Sequence, residues 1–148
     1  MSITYKRADI RETKAQSIML GLNARGQVEV NPLETALRDQ FPVFYSEYRR
    51  LGRNGALVPG EWWYFREATP WLIGAILRDG PNSSTRLRHL EQALITLRRD
   101  WQREGLKSLA IAPLGTEVEL APIRALMEDY LKDGPIPVEF YEEFSAEG

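Results

Sequence analysis

The sequence predicts an α/β fold, a three-layer α/β/α sandwich around a mixed, largely parallel central sheet. Segments of strand composition alternate with segments of helical periodicity along the 148 residues, as in folds whose sheet is covered by helices on both faces. Residues 17–22 and 108–112 are nearly continuous apolar runs, which is typical of strands buried on both faces. No repeat or low-complexity linker divides the chain, so we expect a single domain over residues 1–148.

The first elements follow from local patterns. Residues 3–6 alternate apolar and polar side chains and predict a short strand that ends in a turn at residues 7–9. The buried strand at 17–22 comes next, followed by a loop that ends at Asn31-Pro32. Asn31 is suited to cap a helix whose first position is Pro32, because proline needs no hydrogen-bond acceptor there.

The middle of the chain predicts a helical region followed by two strands. Pro42 divides the helical pattern into two helices or one kinked helix. Gly52 and Gly55 are expected to end it. Residues 61–65 and 71–77 are rich in aromatic and branched side chains, which favours strands.

The last third predicts a long helix, a strand, a second helix and a final strand. Leucines fall on one stripe of residues 85–104, as expected for an amphipathic helix packed on a core. After the buried strand at 108–112, we expect a helix at about 120–132 and a strand at 137–141. The acidic residues 142–148 predict a frayed tail.

Composition excludes several classes of chemistry. The chain has no cysteine and one histidine, so we expect no disulfide, no thiolate nucleophile and no metal site. It also has no GxGxxG or Walker A motif, and we expect no cofactor. The longest apolar run, residues 71–77, is far shorter than the roughly 20 residues that cross a bilayer. With no apolar leader segment at the N-terminus, we expect a cytoplasmic protein that does not contact a membrane.

Three features have both a functional and a structural interpretation. His89 lies opposite the leucine stripe, which favours a solvated residue over a catalytic base. The arginines of residues 85–104 and the net charge of −2 favour a solvated helix face over a nucleic-acid surface, and a protein partner stays open. The aromatic residues 61–65 suit a stacking platform for a base, but a core strand is favoured.

Polar residues and glycines follow several of the predicted strands. Asp9, Asn23 and Gly115 come directly after the first, second and fifth strands. In open α/β sheets ligands bind beyond the carboxyl ends of the strands. A glycine at a strand-to-helix turn also lets backbone N–H groups face an anion. The loops after Leu22, Leu77 and Ala112 are therefore the expected site.

The order of short motifs resembles the macrodomain family, the ADP-ribose-binding α/β/α module, over nearly the whole chain. Within that family the sequence looks most similar to the branch of antitoxin macrodomains that remove ADP-ribose from DNA bases. The motifs that carry the resemblance are Ala8-Asp9-Ile10, Leu22-Asn23, Phe41-Pro42, Glu47-Tyr48, Pro59-Gly60, Ser84-Thr85-Arg86-Leu87 and Lys107-Ser108-Leu109-Ala110-Ile111-Ala112-Pro113-Leu114-Gly115.

The resemblance implies a role for individual residues. Asp9, with the N–H group of Ile10, would contact the adenine of ADP-ribose. Asn23 would contact the distal ribose and assist catalysis in a hydrolytic member. Further ligand-binding positions implied by the family are Gly26, Arg78, Leu114, Gly115, Thr116, Glu117 and Val118.

The chain departs from the family where the phosphates would bind. The glycine-rich stretch after Asn23 is replaced by residues 24–30, and the diphosphate loop reads Thr116-Glu117-Val118-Glu119. Carboxylates beside a diphosphate repel it, and side chains block a close backbone approach. Arg78 stands where that branch has a lysine, and an arginine stays protonated at neutral pH.

These departures predict a divergent macrodomain that binds ADP-ribose or a related adenine nucleotide, with weak or no hydrolase activity. Two alternatives stay open at this point. One is an active ADP-ribosyl hydrolase that removes ADP-ribose from a macromolecule and uses Asn23. The other is a non-catalytic protein-interaction module.

Overall fold

The structure, a computed structural model, describes residues 3–145. The six strands are β1 (Ile3–Ala8), β2 (Ser17–Asn23), β3 (Trp62–Phe65), β4 (Trp71–Arg78), β5 (Leu109–Ile111) and β6 (Val138–Phe144). The four α-helices are α1 (Pro32–Gln40), α2 (Pro42–Arg53), α3 (Leu87–Glu104) and α4 (Leu120–Leu131). Two short 3₁₀ turns, Ile10–Glu12 and Glu117–Glu119, precede β2 and α4.

The strands form one mixed sheet in the order β1-β6-β5-β2-β4-β3. Neighbouring strands run parallel except β3, which pairs antiparallel with β4 at one edge. Parallel neighbours require crossover connections, and α1 to α4 supply them. The predicted mixed, largely parallel α/β sandwich is confirmed.

The sheet is covered on both faces, as the apolar runs predict. Along β2, Leu20 and Leu22 pack with the buried residues of α1 and α2, whereas Met19 packs with those of α3 and α4. Successive side chains of a strand point to opposite faces, so an uninterrupted apolar run serves two cores at once.

The aromatic strand β3 belongs to the core, as favoured from the sequence. The ring of Trp63 stacks on Phe44 of α2 with centroids 4.7 Å apart. On the other face, Trp62 Nε1 donates a hydrogen bond to the carbonyl oxygen of Ala93 in α3, at 2.6 Å. These rings are engaged with helices on both sides and do not form a platform for a base.

Both strands at the β1 edge are longer than predicted. β1 continues to Ala8 and β6 to Phe144, because the two strands pair along their length and Arg7 forms an ion pair with Glu143 at 2.7 Å. The predicted turn at residue 7 and the frayed tail at residues 142–144 are therefore wrong. Residues 146–148 lie outside the described part of the chain.

Three further expectations need correction. Gly52 does not end a helix, since α2 continues to Arg53. The long helix begins at Leu87, and Leu87 itself is exposed. His89 is largely buried, with 14% of its side chain exposed and Nε2 3.5 Å from Asp79, because the loop before α3 folds back beside it.

Candidate functional site

A cleft of about 620 Å³ lies at the carboxyl ends of the central strands, where the strand order predicts a ligand site. It is enclosed by the ends of β2, β4 and β6, the N-terminal part of α1, and the loops after β2, β4 and β5. The residues that line it are Leu20, Gly21, Glu29, Val30, Asn31, Pro32, Leu33, Glu34, Leu37, Tyr45, Arg78, Asn82, Ser83, Ser84, Thr85, Ala112, Pro113, Leu114, Gly115, Thr116, Glu119 and Phe144.

Asn23 shapes the turn after β2 and is not among the residues that line the cleft. Its side chain is fully buried. Nδ2 donates to the carbonyl oxygen of Gln27 at 2.8 Å, and Oδ1 accepts from the N–H groups of Arg25 and Gln27 at 3.1 and 3.3 Å. The amide is therefore committed to the backbone of its own loop.

Gly26 also has a packing role in this loop. It adopts φ +68°, and a Cβ at this position would lie 2.5 Å from the carbonyl oxygen of Tyr48. A Cβ on Gly52 would lie 2.2 Å from the carbonyl oxygen of Arg25. The loop thus approaches α2 so closely that both positions require glycine. The sequence analysis did not predict that Gly52 makes room for this loop.

Asp9 caps the 3₁₀ turn after β1. Its carboxylate accepts hydrogen bonds from the backbone N–H and the guanidinium of Arg11, with Arg11 Nη2 2.7 Å from Oδ2. The hydrogen bonds from Arg11 lower the pKa of this 6% exposed carboxyl group. Ile10 is a core residue. Neither Asp9 nor Ile10 is among the residues that line the cleft.

One end of the cleft is apolar. It is lined by Leu20, Leu37 and Ala112, which belong to one core cluster, and by Phe144 of β6, which packs against that cluster. The guanidinium of Arg11 lies 5.7 Å from the centre of the Phe144 ring. This end offers flat and aliphatic surface to a ligand. The sequence analysis did not predict Phe144 as a site residue, because it places residue 144 in a frayed tail.

The other end is charged, and Arg78 lies at its centre. Arg78 Nη2 donates to the carbonyl oxygen of Gly21 at 2.8 Å and lies 2.7 Å from Glu29 Oε2. Glu29 Oε1 accepts from the backbone N–H of Asn82 at 3.1 Å. Glu29 therefore ties the loop after β2 to the loop after β4, and the Arg78 guanidinium is already paired.

A second carboxylate lies beside this ion pair. Glu34, in the first turn of α1, accepts a hydrogen bond from the backbone N–H of Glu29 at 2.6 Å. Burial raises the pKa of the Glu34 carboxyl group. Tyr45 also lines the cleft, and its buried hydroxyl has no hydrogen-bond partner among the residues described. Burial raises the pKa of Tyr45 as well.

A third carboxylate organises the loop after β5. Glu119 Oε1 accepts from the backbone N–H of Thr116 at 2.8 Å, and Oε2 accepts from the backbone N–H of Thr85 at 3.1 Å. A Cβ on Gly115 would lie 2.8 Å from Glu119 Oε1, so glycine makes room for this carboxylate. Glu117 and Val118 do not line the cleft, and Val118 is 91% exposed.

The structure thus brings together four of the predicted site residues, namely Arg78, Leu114, Gly115 and Thr116. It places six outside the cleft lining, namely Asp9, Ile10, Asn23, Gly26, Glu117 and Val118. The cleft residues missed include Glu29, Glu34 and Phe144, whereas Glu119 is named from the sequence only as part of the diphosphate loop. Thr116 and Glu119 do carry a local signal, the spacing of a capping box.

No helix within residues 3–145 combines the length and apolarity that a membrane crossing requires. Nor do three or more Asp, Glu or His side chains of this part of the chain form a group that could hold a metal ion.

Comparison with known proteins identifies the fold. No protein-family model and no curated protein matches the sequence. The macrodomain of Thermus aquaticus DarG is similar in structure, with 18% identity, a TM-score of 0.81, and coverage of 95% of this chain and 97% of that one. Thermosipho africanus DarTG in complex with ADP-ribose gives 20% identity and a TM-score of 0.84, over 100% of this chain and 43% of that chain.

A third similar structure is more distant. The Trypanosoma brucei macrodomain in complex with ADP-ribose shows 15% identity and a TM-score of 0.61, over 95% of this chain and 64% of that chain. The chain therefore has the macrodomain fold. The resemblance stated from the sequence is confirmed at the level of the fold, with DarG macrodomains among the similar structures. The chain spans less than half of the DarTG chain that it matches.

Proposed function

We propose that this chain binds ADP-ribose or a related adenine nucleotide in the strand-end cleft, with weak or no ADP-ribosyl hydrolase activity. The observation that carries the proposal is the cleft of about 620 Å³ at the carboxyl ends of the sheet, within the about 300–1,000 Å³ typical of small-ligand sites. Two structures of the same fold are complexes with ADP-ribose. The proposal transfers that ligand to this cleft.

The two ends of the cleft suit the two parts of such a ligand. An adenine ring has a flat π face, and Phe144 with Leu20 and Leu37 offers aromatic and aliphatic surface. Stacking of a base on an aromatic side chain contributes about 1–3 kcal/mol. At the other end, Arg78 is the cation among the described residues that line the cleft, and it suits a phosphate or a ribose hydroxyl.

The predicted weakness of hydrolysis rests on how the candidate catalytic groups are held. Asn23 is buried and hydrogen-bonded to its own loop, so its amide is not free to orient a ribose or a water molecule. Arg78 stays protonated at neutral pH and is paired with Glu29. It therefore supplies charge, but not a nucleophile or a proton acceptor.

One observation favours the active hydrolase as a second candidate. Glu34 is a carboxyl group of raised pKa that lines the cleft, and perturbed carboxyl groups in clefts are candidates for general acid–base catalysis. In that case Glu34 would accept a proton from the attacking water molecule, and Asn23 would have only a structural role.

Calorimetric titration with ADP-ribose, ADP and AMP tests binding. We expect saturable binding of ADP-ribose by the unmodified chain and a weaker complex with the Phe144→Ala variant. Absence of binding for all three ligands would contradict the proposal and leave the protein-interaction module as the remaining interpretation.

Incubation with ADP-ribosylated DNA and ADP-ribosylated protein tests hydrolysis. We expect no release of ADP-ribose above a buffer control. Multiple turnover lost in Glu34→Gln would establish the hydrolase that uses Glu34, and turnover lost in Asn23→Ala would establish the family's mechanism. Thermal unfolding of each variant distinguishes lost chemistry from lost folding.

A further inference from the structure

The backbone N–H groups around the charged end of the cleft are already bonded to anions of the chain itself. Glu34 accepts from the N–H of Glu29, Glu29 accepts from that of Asn82, and Glu119 accepts from those of Thr85 and Thr116. All six of these residues line the cleft. Backbone N–H groups in strand-to-helix loops are the donors that proteins use to hold phosphate oxygens.

Of the three carboxylates, Glu119 is the one that accepts hydrogen bonds from two backbone N–H groups. Each of its oxygens accepts an N–H group from a different loop, Oε1 from Thr116 after β5 and Oε2 from Thr85 before α3. Gly115 provides the space that its carboxylate occupies, since a Cβ there would lie 2.8 Å from Oε1. The side chain thus holds two loops together through donors that a bound anion would otherwise take.

We propose that Glu119 is an internal competitor of the ligand diphosphate and sets the specificity of the cleft against doubly charged phosphate groups. This inference rests on the proposed nucleotide-binding function and refines it. A diphosphate entering this end meets a carboxylate already bonded to the N–H donors, and it is also repelled by that like charge. Adenosine and other uncharged ligands meet neither obstacle.

The test compares three forms of the chain in calorimetric titrations with adenosine, ADP and ADP-ribose. Glu119→Ala removes the charge and frees both N–H donors, and we expect it to bind ADP and ADP-ribose about tenfold more tightly while adenosine affinity stays within twofold. Glu119→Gln removes the charge and one of the two acceptors, because its amide oxygen can still accept from the N–H of Thr116 whereas its NH2 group cannot accept from that of Thr85. We expect it to show an intermediate gain.

The matched control is Glu117→Gln, which removes the same charge two residues away. The Glu117 side chain is exposed and makes no hydrogen bond or ion pair with the residues described. Exposed charges are screened, so we expect a gain below twofold. This variant measures the effect of net charge alone. Its comparison with Glu119→Ala therefore isolates the effect of freeing the two N–H donors.

The outcomes separate this inference from the proposed function. In one outcome, both Glu119 variants still bind adenosine and ADP-ribose, but with an affinity for ADP-ribose that is unchanged or weaker. That result would show that Glu119 only ties the loops together. Absence of binding of adenosine as well as ADP-ribose in every form would overturn the proposed function and this inference with it. If Glu119→Ala does not fold, Glu119→Gln decides the question.

Discussion

The two ends of the cleft are built on different physical principles. The apolar end is an extension of the core between the sheet and α1, formed by Leu20, Leu37 and Phe144. The charged end consists of loops held by Glu29 and Glu119, whose carboxylates bond to backbone N–H groups. Apolar surface stays open to any ligand of suitable shape, whereas polar donors bonded within the chain must be released first. The difference teaches that the apolar and the polar surfaces of one cleft are not equally available to a ligand.

The largest effect is expected where the loop of the charged end rests on α2. Gly52→Ala places a Cβ 2.2 Å from the carbonyl oxygen of Arg25 and 2.5 Å from the Cα of Gly26. Neither contact is relieved by a side-chain rotation, because both partners are backbone. We expect the free energy of unfolding in urea to fall by about 3 kcal/mol.

A control for this variant is Gly55→Ala. Gly55 has φ +68°, a conformation that the helical Gly52 does not share, and a Cβ there meets nothing within 4 Å. We expect a loss of about 1 kcal/mol, from backbone strain alone. Equal losses in the two variants would mean that the close approach of the loop to α2 does not support the charged end.

The next effect concerns the apolar end. Phe144→Ala removes the ring expected to stack on adenine, and base stacking of about 1–3 kcal/mol corresponds to a loss in affinity of about tenfold. AMP and ADP-ribose should lose affinity by the same factor, because both carry the base. Phe144→Leu, which keeps aliphatic bulk, should show a similar loss if the flat ring matters. Equal affinity of all three forms in calorimetry would place the base elsewhere.

The smallest effect is a pH dependence at the charged end. Burial raises the pKa of Glu34, and the negative charge of Glu29 adds to this shift. The hydrogen bond from the backbone N–H of Glu29 and the charges of Arg78 and Arg38 oppose it. An acid whose pKa is raised in the folded state binds more protons in the folded chain than in the unfolded chain. Its contribution to stability is therefore lost as the pH rises from about 4.3 through the folded-state value.

Glu34→Gln cannot ionise and should escape this loss. We expect the variant to gain stability relative to the unmodified chain as the pH of urea unfolding is raised from 4 to 7, with a constant difference above the folded-state pKa. Glu67→Gln, at an exposed position, is the control for the removal of one negative charge. A gain for Glu34→Gln that shrinks as the pH rises would contradict the assignment.

How much the sequence could predict differs between the fold and the site. The two-sided apolar runs identified β2 and β5, and Asn31 caps α1 through a hydrogen bond from the N–H of Glu34 at 2.8 Å. Both signals are local, because burial periodicity and capping depend on neighbouring residues. Asp9 and Asn23 were identified as polar residues at strand ends, yet their side chains bond to Arg11 and Gln27 within their own turns. Such bonds depend on turn geometry that residue types do not specify.

By itself, the sequence determined the kind and order of the elements and the edge of the sheet at which a cleft would form. Only the tertiary structure decided which side chains meet there. Glu29 and Glu34 flank the start of α1, Arg78 ends β4 and Glu119 follows β5. It is the strand order that brings β2, β4 and β5 side by side. Periodicity reports which face of an element is buried, but a contact between distant segments depends on how whole elements pack. The charged end of the cleft is such a contact.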